Sequence, residues 1–174
     1  MPAARVAGPV SAWEDALDLQ KVIDESDIRA LAARYSDAVR RCDPVQAAET
    51  YAEDGVLMAF SGPEIVGRAA VQEALTRVLP KTNFVMQLCE GGLIEVDGDT
   101  AKARWSVTEW IINKENQEVR VSLGVYEDVV VRLAEGWRFK RRRFHPLYGG
   151  DPSGGGRVRQ DPVMEHTFKR PWGG

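Results

Sequence analysis

The sequence predicts an α+β domain in which a curved, mainly antiparallel sheet wraps helices supplied by the front of the chain. Three observations lead there. Apolar residues recur at spacings of three and four up to about Leu79, the period falls to two from Phe84 onward, and the turns between the later segments are short. Short turns between long strands require antiparallel pairing, and helices segregated from strands mark the α+β class.

Ser11-Ala12-Trp13-Glu14 has the form of a capping box, because the Ser hydroxyl can accept from the amide three residues on while Glu14 reaches back. A first helix is expected over residues 12–23, with Trp13, Leu17, Leu19 and Ile23 as its apolar stripe. Ser26 or Asp27 then caps a second helix in which Ile28, Leu31, Ala32, Tyr35 and Val39 share a face. Pro44 ends it near Arg41 and suits the first turn of a third helix carrying Val45, Ala48 and Tyr51. Residues 56–60 read as a strand and 69–79 as a helix. Four long β-type segments follow at 84–96, 101–112, 119–133 and 137–144, and Gly91-Gly92 predicts a bulge that bends the first of them. A sheet curved over helices leaves a cavity between the two layers. The predicted organisation is an N-terminal arm (1–11), one domain (12–148) and a Gly/Pro-rich tail (149–174), whose Phe168 and Trp172 are expected to dock on the domain or a second subunit.

Composition excludes several classes. The formal charge is −3, which gives no global attraction to a polyanion, so no nucleic-acid partner is expected. No stretch approaches the apolar length of a membrane span, and the first ten residues lack a signal-peptide core. Cys42 and Cys89 have no metal-ligand spacing and read as buried, reduced thiols of a cytoplasmic protein. His145 and His166 have no second histidine at ligand spacing, so no metal is expected. A GxSxG elbow and a dinucleotide fingerprint are both lacking.

Polar residues on apolar faces are the informative anomalies, since burying them without partners costs on the order of 1–3 kcal/mol. Tyr35 lies on the apolar stripe of its helix. The alternation Ala101, Ala103, Trp105, Val107, Glu109, Ile111 sets Glu109 on an apolar face, where a carboxylate must be paired or protonated. The opposite face ends in Trp110 and Ile112, an apolar outer surface that suits contact with another copy, so a homodimer is expected. Tyr126 and Asp128 share one parity, and Val125, Glu127 and Val129 the other; the pattern does not settle which faces inward. Strict alternation groups Trp137, Phe139, Arg141, Arg143 and His145 against Arg138, Lys140, Arg142 and Phe144.

Taken together, Ile28 to Tyr35, Asp43, Ala47, Tyr51, Asp54-Gly55, residues 67–75, Val96 to Ala101, Gly124 to Asp128 and Gly136-Trp137-Arg138 resemble the SnoaL-like group of the nuclear-transport-factor-two-like superfamily. The resemblance implies a cone-shaped, cystatin-like barrel with an apolar pocket, dimerisation through the sheet and acid/base chemistry without a cofactor. It covers residues 12–148. Relatives of this kind include scytalone dehydratase, lindane dehydrochlorinase and bile-acid dehydratase. In the last of these patterns the tyrosine falls on Tyr35 and the strand motif on Arg104-Trp105 to Glu109, while the Asp-His dyad falls on Arg40 and Gln87, which cannot serve as that dyad.

The expectation is therefore a cofactor-free lyase, isomerase or hydrolase acting on an apolar cyclic molecule such as a steroid, terpenoid or polyketide. Tyr35 would polarise a substrate oxygen, Glu109 would move the proton, Arg40 would pair with Glu109, and Gln87 would orient substrate or water. Met58, Phe60, Trp105, Tyr126 and His145 are the expected substrate contacts. The alternative is a noncatalytic ligand-binding or subunit-assembly module of the same fold.

Overall fold

A computed structural model describes residues 12–59 and 62–158, with side chains from Leu19 to Arg157. The Ser11 capping box, the side chains of Trp13 and Leu17, Phe60, and the tail aromatics Phe168 and Trp172 lie outside the described residues.

Helix α1 runs unbroken through Ala12–Arg40, where two helices were expected. The segment Asp24-Glu25-Ser26-Asp27 contains no Pro or Gly to stop it, and Asp24 is a buried anchor, not the approach to a cap. Arg132 donates to both Asp24 carboxylate oxygens at 2.6 Å, and the Trp137 indole N–H donates to Oδ1 at 3.4 Å. These bonds, the Arg132 guanidinium foremost, lower the Asp24 pKa. Leu19 and Ile23 are exposed, so the inward stripe starts later, at Ile28, Leu31, Tyr35 and Val39.

At the end of α1 the amide of Asp43 donates to Ala38 O and that of Cys42 to Val39 O, with Cys42 at φ 53°. This is a Schellman closure with cysteine in the left-handed position usually held by glycine. Cys42 is consequently exposed, not buried as expected, and Cys89 is half-buried. Asp43 then caps α2 (Pro44–Glu49) by accepting from the Gln46 amide at 3.0 Å. Tyr51 is not helical: it opens strand β1 (Tyr51–Met58), fully buried.

A two-residue strand, β2 (Ile65–Val66), pairs with β1, and α3 (Arg68–Val78) follows. The long strands are β3 (Thr82–Asp97), β4 (Thr100–Asn113), β5 (Val119–Leu133) and β6 (Gly136–Gly150), with β7 (Arg157–Val158) on the end of β6. The last long strand thus continues beyond 148 into the stretch expected to be tail. The sheet order is β2-β1-β6-β5-β4-β3, antiparallel except for the parallel β1–β6 pair. The curved sheet stays open instead of closing into a barrel, and α1 packs along its β3 edge.

Of the register shifts in the sheet, two bear directly on the site. The first falls between Glu90 and Leu93, at Gly91-Gly92 as expected; a Cβ on Gly92 would collide with the Trp105 ring. The second falls in β6, where Val130 pairs with Phe139 and Val129 with Arg141, leaving Lys140 as the extra residue. It breaks the strict alternation: Trp137 and Phe139 face inward before it, and Arg142 and Phe144 after it.

Candidate active site

Between α1, α3 and the concave face of the sheet lies a cavity of about 170 Å³. Its wall is mostly apolar, with Val39, Leu57, Leu75, Val107 and Phe144 among the lining side chains. Polar groups converge on one side: Tyr35 from α1, Gln87 from β3, Glu109 from β4 and Tyr126 from β5. Gln87 and Glu109 are directly opposed across the β3–β4 ladder, so their side chains share the inner face.

Gln87 is the hub. Its Oε1 accepts from the Ser36 hydroxyl at 3.2 Å, while its Nε2 donates to Glu109 Oε2 at 2.8 Å and to the Tyr126 hydroxyl at 3.2 Å. Burial pushes the Glu109 pKa up, and the Gln87 bond opposes this only in part. Ser122 of β5, cross-strand from Glu109, is buried with a hydroxyl that has no hydrogen-bond partner.

A fully buried ion pair lies beneath these groups. Arg142 donates through Nε to Asp128 Oδ1 at 2.9 Å and through Nη2 to Oδ2 at 2.7 Å, and the Trp105 indole donates to Oδ2 at 2.8 Å. The guanidinium carbon sits 3.9, 4.1 and 4.7 Å from the ring centroids of Phe139, Tyr126 and Tyr35. Burial raises the Asp128 pKa; for Arg142, burial alone would act downward, but contact with Asp128 overrides it and keeps the guanidinium charged. Tyr35 and Tyr126 are pushed upward by burial, so both are neutral phenols at physiological pH. Arg142 Nη1 remains buried without a partner.

The cavity therefore joins Tyr35, Gln87, Glu109 and Tyr126 as expected, whereas several other expected residues stand elsewhere. Arg40 does not meet Glu109: it binds Asp37 at 2.6 Å, with 47% of its side chain exposed, because its position faces out from the helix. Met58 is on the outer face of β1, where its sulfur meets the Arg141 guanidinium at 3.1 Å, while Leu57 faces in. Trp105 is a core residue holding Asp128 and does not line the cavity. His145 follows the β6 bulge and so faces outward, its Nε2 3.1 Å from Glu127 Oε2. Phe60 lies outside the described residues.

Two features were missed. Ser36 is the helix residue that touches Gln87, a lone small polar group beside the apolar stripe. The Asp128–Arg142 pair was hidden by the bulge, although the shared parity of Tyr126 and Asp128 carried half of the signal. Among the described residues, no group of three or more His, Cys, Asp or Glu could hold a metal ion, and no helix is long and apolar enough to cross a membrane.

An open sheet wrapped on a long helix, with an acid inside an apolar cavity, defines a small α+β pocket protein. The SnoaL-like domain profile matches residues 20–143, and the chain belongs to that family. Comparison with curated proteins gives no match. Among solved structures, a Mycobacterium tuberculosis protein of unknown function is 28% identical, with TM-score 0.65 over 71% of this chain and 76% of its own. An NTF2-like protein with a cystatin-like fold from Novosphingobium aromaticivorans is 24% identical, with TM-score 0.66 over 80% and 92% of the two chains. The hexachlorocyclohexane dehydrochlorinase LinA, type 2, is 16% identical, with TM-score 0.72 over 84% and 99%. At such identities the last two establish the fold.

Proposed function

We propose that the protein is a cofactor-free acid/base enzyme acting on a small apolar ring compound, with Glu109 as the group that moves the proton. The observation that carries this reading is an acid of raised pKa set in an apolar cavity and bonded to a neutral amide. A pKa moved toward working pH lets a carboxyl both give and take a proton. Gln87 holds the Glu109 oxygen, and the neutral hydroxyls of Tyr35 and Tyr126, whose side chains line the same cavity, would polarise a substrate oxygen. The dehydrochlorinase named among the structural neighbours supports proton-moving chemistry of this kind.

Size narrows the substrate. A cavity of roughly 150 Å³ accommodates benzene, so the 170 Å³ here matches a single six-membered ring with one substituent. A four-ring steroid would have to extend through the mouth, which favours monocyclic terpenoid-like or polyketide-derived compounds. Incubation with a panel of oxygenated and halogenated single-ring compounds, followed by mass analysis, tests the reading. Conversion that falls about 10²–10⁴-fold in Glu109→Gln is expected. Binding with unchanged mass across the panel would favour a noncatalytic binding module.

The proposal extends to a homodimer, supported by the outer apolar patch of Phe84, Met86, Trp110, Ile112 and Val119. Sedimentation at micromolar concentration should show a dimer that Trp110→Lys dissociates; a wild-type monomer would remove this part.

A further inference from the structure

On the concave face the strand registers set three side chains in one transverse row: Gln87 of β3, Glu109 of β4 and Ser122 of β5. Side chains directly opposed across a ladder have Cβ atoms about 4.5–5.5 Å apart, so Glu109 has a polar neighbour on each flank. The two flanks differ. Gln87 donates to Oε2 at 2.8 Å, whereas among the described residues nothing donates to Oε1. Ser122 is 5% exposed, and its buried hydroxyl has no hydrogen-bond partner. The far side of the row offers it none, because Ser122 is opposed there by Gly149 of β6, which has no side chain. Its same-face neighbours along β5 are Gly124 and Arg120, the latter exposed. Glu109 is thus the acceptor side chain that this hydroxyl adjoins.

Resting on the reading of Glu109 as the group that moves the proton, we infer that Ser122 is its positioning residue: once the carboxyl has released its proton, the Ser122 hydroxyl donates to Oε1, and the carboxylate is held from both flanking strands. Chemistry sets the direction of this bond, since an ionised carboxylate only accepts and the serine must then donate. The carboxyl proton passes to substrate or solvent, and the serine keeps its own. Without such a donor one charged oxygen would stand in an apolar wall unpaired. The other groups facing Glu109 are spoken for or apolar. The phenols of Tyr35 from α1 and Tyr126 from β5, the titratable groups on those elements, are engaged with each other, with Tyr51 and with Gln87. Helix α3 presents Ala74, Leu75 and Val78, and β6 presents Phe144. The buried cation Arg142 is bonded to Asp128 behind the tyrosine rings.

Carboxyl-carbon NMR of the full chain with isotope-labelled glutamate, the Glu109 signal being assigned by its loss in Glu109→Gln, reads this bond without any substrate. Ser122→Ala should raise the Glu109 titration midpoint by about one unit, a tenfold fall in its acid dissociation constant, while Ser122→Thr keeps the hydroxyl and should stay within about 0.3 unit of wild type. Because the alanine variant buries no unpaired hydroxyl, its denaturation midpoint should equal or exceed wild type below the Glu109 titration and fall beneath it above. Where a ring compound is turned over, the acid limb of kcat/KM should move by the same amount in Ser122→Ala. A Glu109 midpoint unmoved by Ser122→Ala, or moved equally by Ser122→Thr, would overturn the inference, the second result marking a packing effect. Either result beside wild-type turnover removes Ser122 alone. Absence of wild-type turnover across the ring-compound panel removes the acid/base reading and the positioning role with it.

Discussion

Replacing Arg142 by methionine tests the core that underlies the site. The guanidinium is fully buried, donates twice to Asp128 and lies over three aromatic rings. Methionine fills much of the volume but leaves Asp128 held by the Trp105 N–H at 2.8 Å. Breaking one side of a buried pair costs about 3–5 kcal/mol, most of it from stranding the other charge. For a chain of this size that corresponds to a Tm fall of roughly 6–20 °C. The companion variant Arg142→Met/Asp128→Asn removes the stranded charge and keeps an acceptor for Trp105. It should regain about 2 kcal/mol relative to the single variant. Urea denaturation followed by tryptophan fluorescence reads both values. A single-variant loss below about 1 kcal/mol, or a double variant no more stable than the single, would refute the claim that a buried charge pair organises this core.

Other outcomes follow from the same contacts. Because the native state holds the Glu109 proton more tightly than the unfolded chain does, stability falls as pH rises from the ordinary carboxyl range through the raised native value. Glu109→Gln should therefore match wild type in acid and exceed it above that window; denaturation midpoints from pH 4 to 8 would show a constant difference if the acid were not perturbed. Asp24 has the opposite sign: its lowered pKa contributes stability above the ordinary carboxyl range that is lost as pH falls through the native value. Asp24→Asn should cost about 2 kcal/mol at pH 7, narrowing in acid, and an unchanged gap at pH 3 would count against the Arg132 pair. Gly92→Ala should cost about 3 kcal/mol or more, since the added methyl displaces Trp105; a near-neutral thermal melt would show that the bulge yields easily. Arg40→Ala should change stability by less than about 1 kcal/mol and leave ring-ligand affinity unaltered, and a loss of affinity would return Arg40 to the site.

Much of this architecture is written in local pattern. The period-two alternation of residues 101–111 sets Glu109 on the inner face, and Gly91-Gly92 marks a bulge, because both signals depend on neighbouring residues alone. The errors came where distant partners override local preference. Asp24, Ser26 and Asp27 look like the start of a helix, yet Arg132, 108 residues away, recruits Asp24 into the middle of one. Cys42 closes α1 in a conformation that composition alone would assign to glycine. Arg40 and Glu109 are opposite charges that sequence reasoning could pair, but the helix turn points Arg40 at Asp37, its own neighbour. His145 and Met58 were misplaced by strand phase, which residue types do not specify.

The bulge at Lys140 in β6 has an evolutionary reading. Lys140 to Arg143 is a run of four basic residues that a regular strand would divide evenly between the two faces. With Lys140 in the bulge, Lys140 meets Asp54, Arg141 meets Glu64, Arg143 is exposed, and Arg142 alone turns inward. The bulge thus acts as a phase marker on the strand. Losing Lys140 would keep Arg142 pointing in and change chiefly the bend, whereas gaining one residue between Arg141 and Arg142 would swing the guanidinium to solvent and bring the tyrosine cluster a different neighbour. Length variation in this strand should therefore be tolerated at one position and excluded one step away, a pattern that a deep mutational scan of single-residue insertions and deletions would display directly.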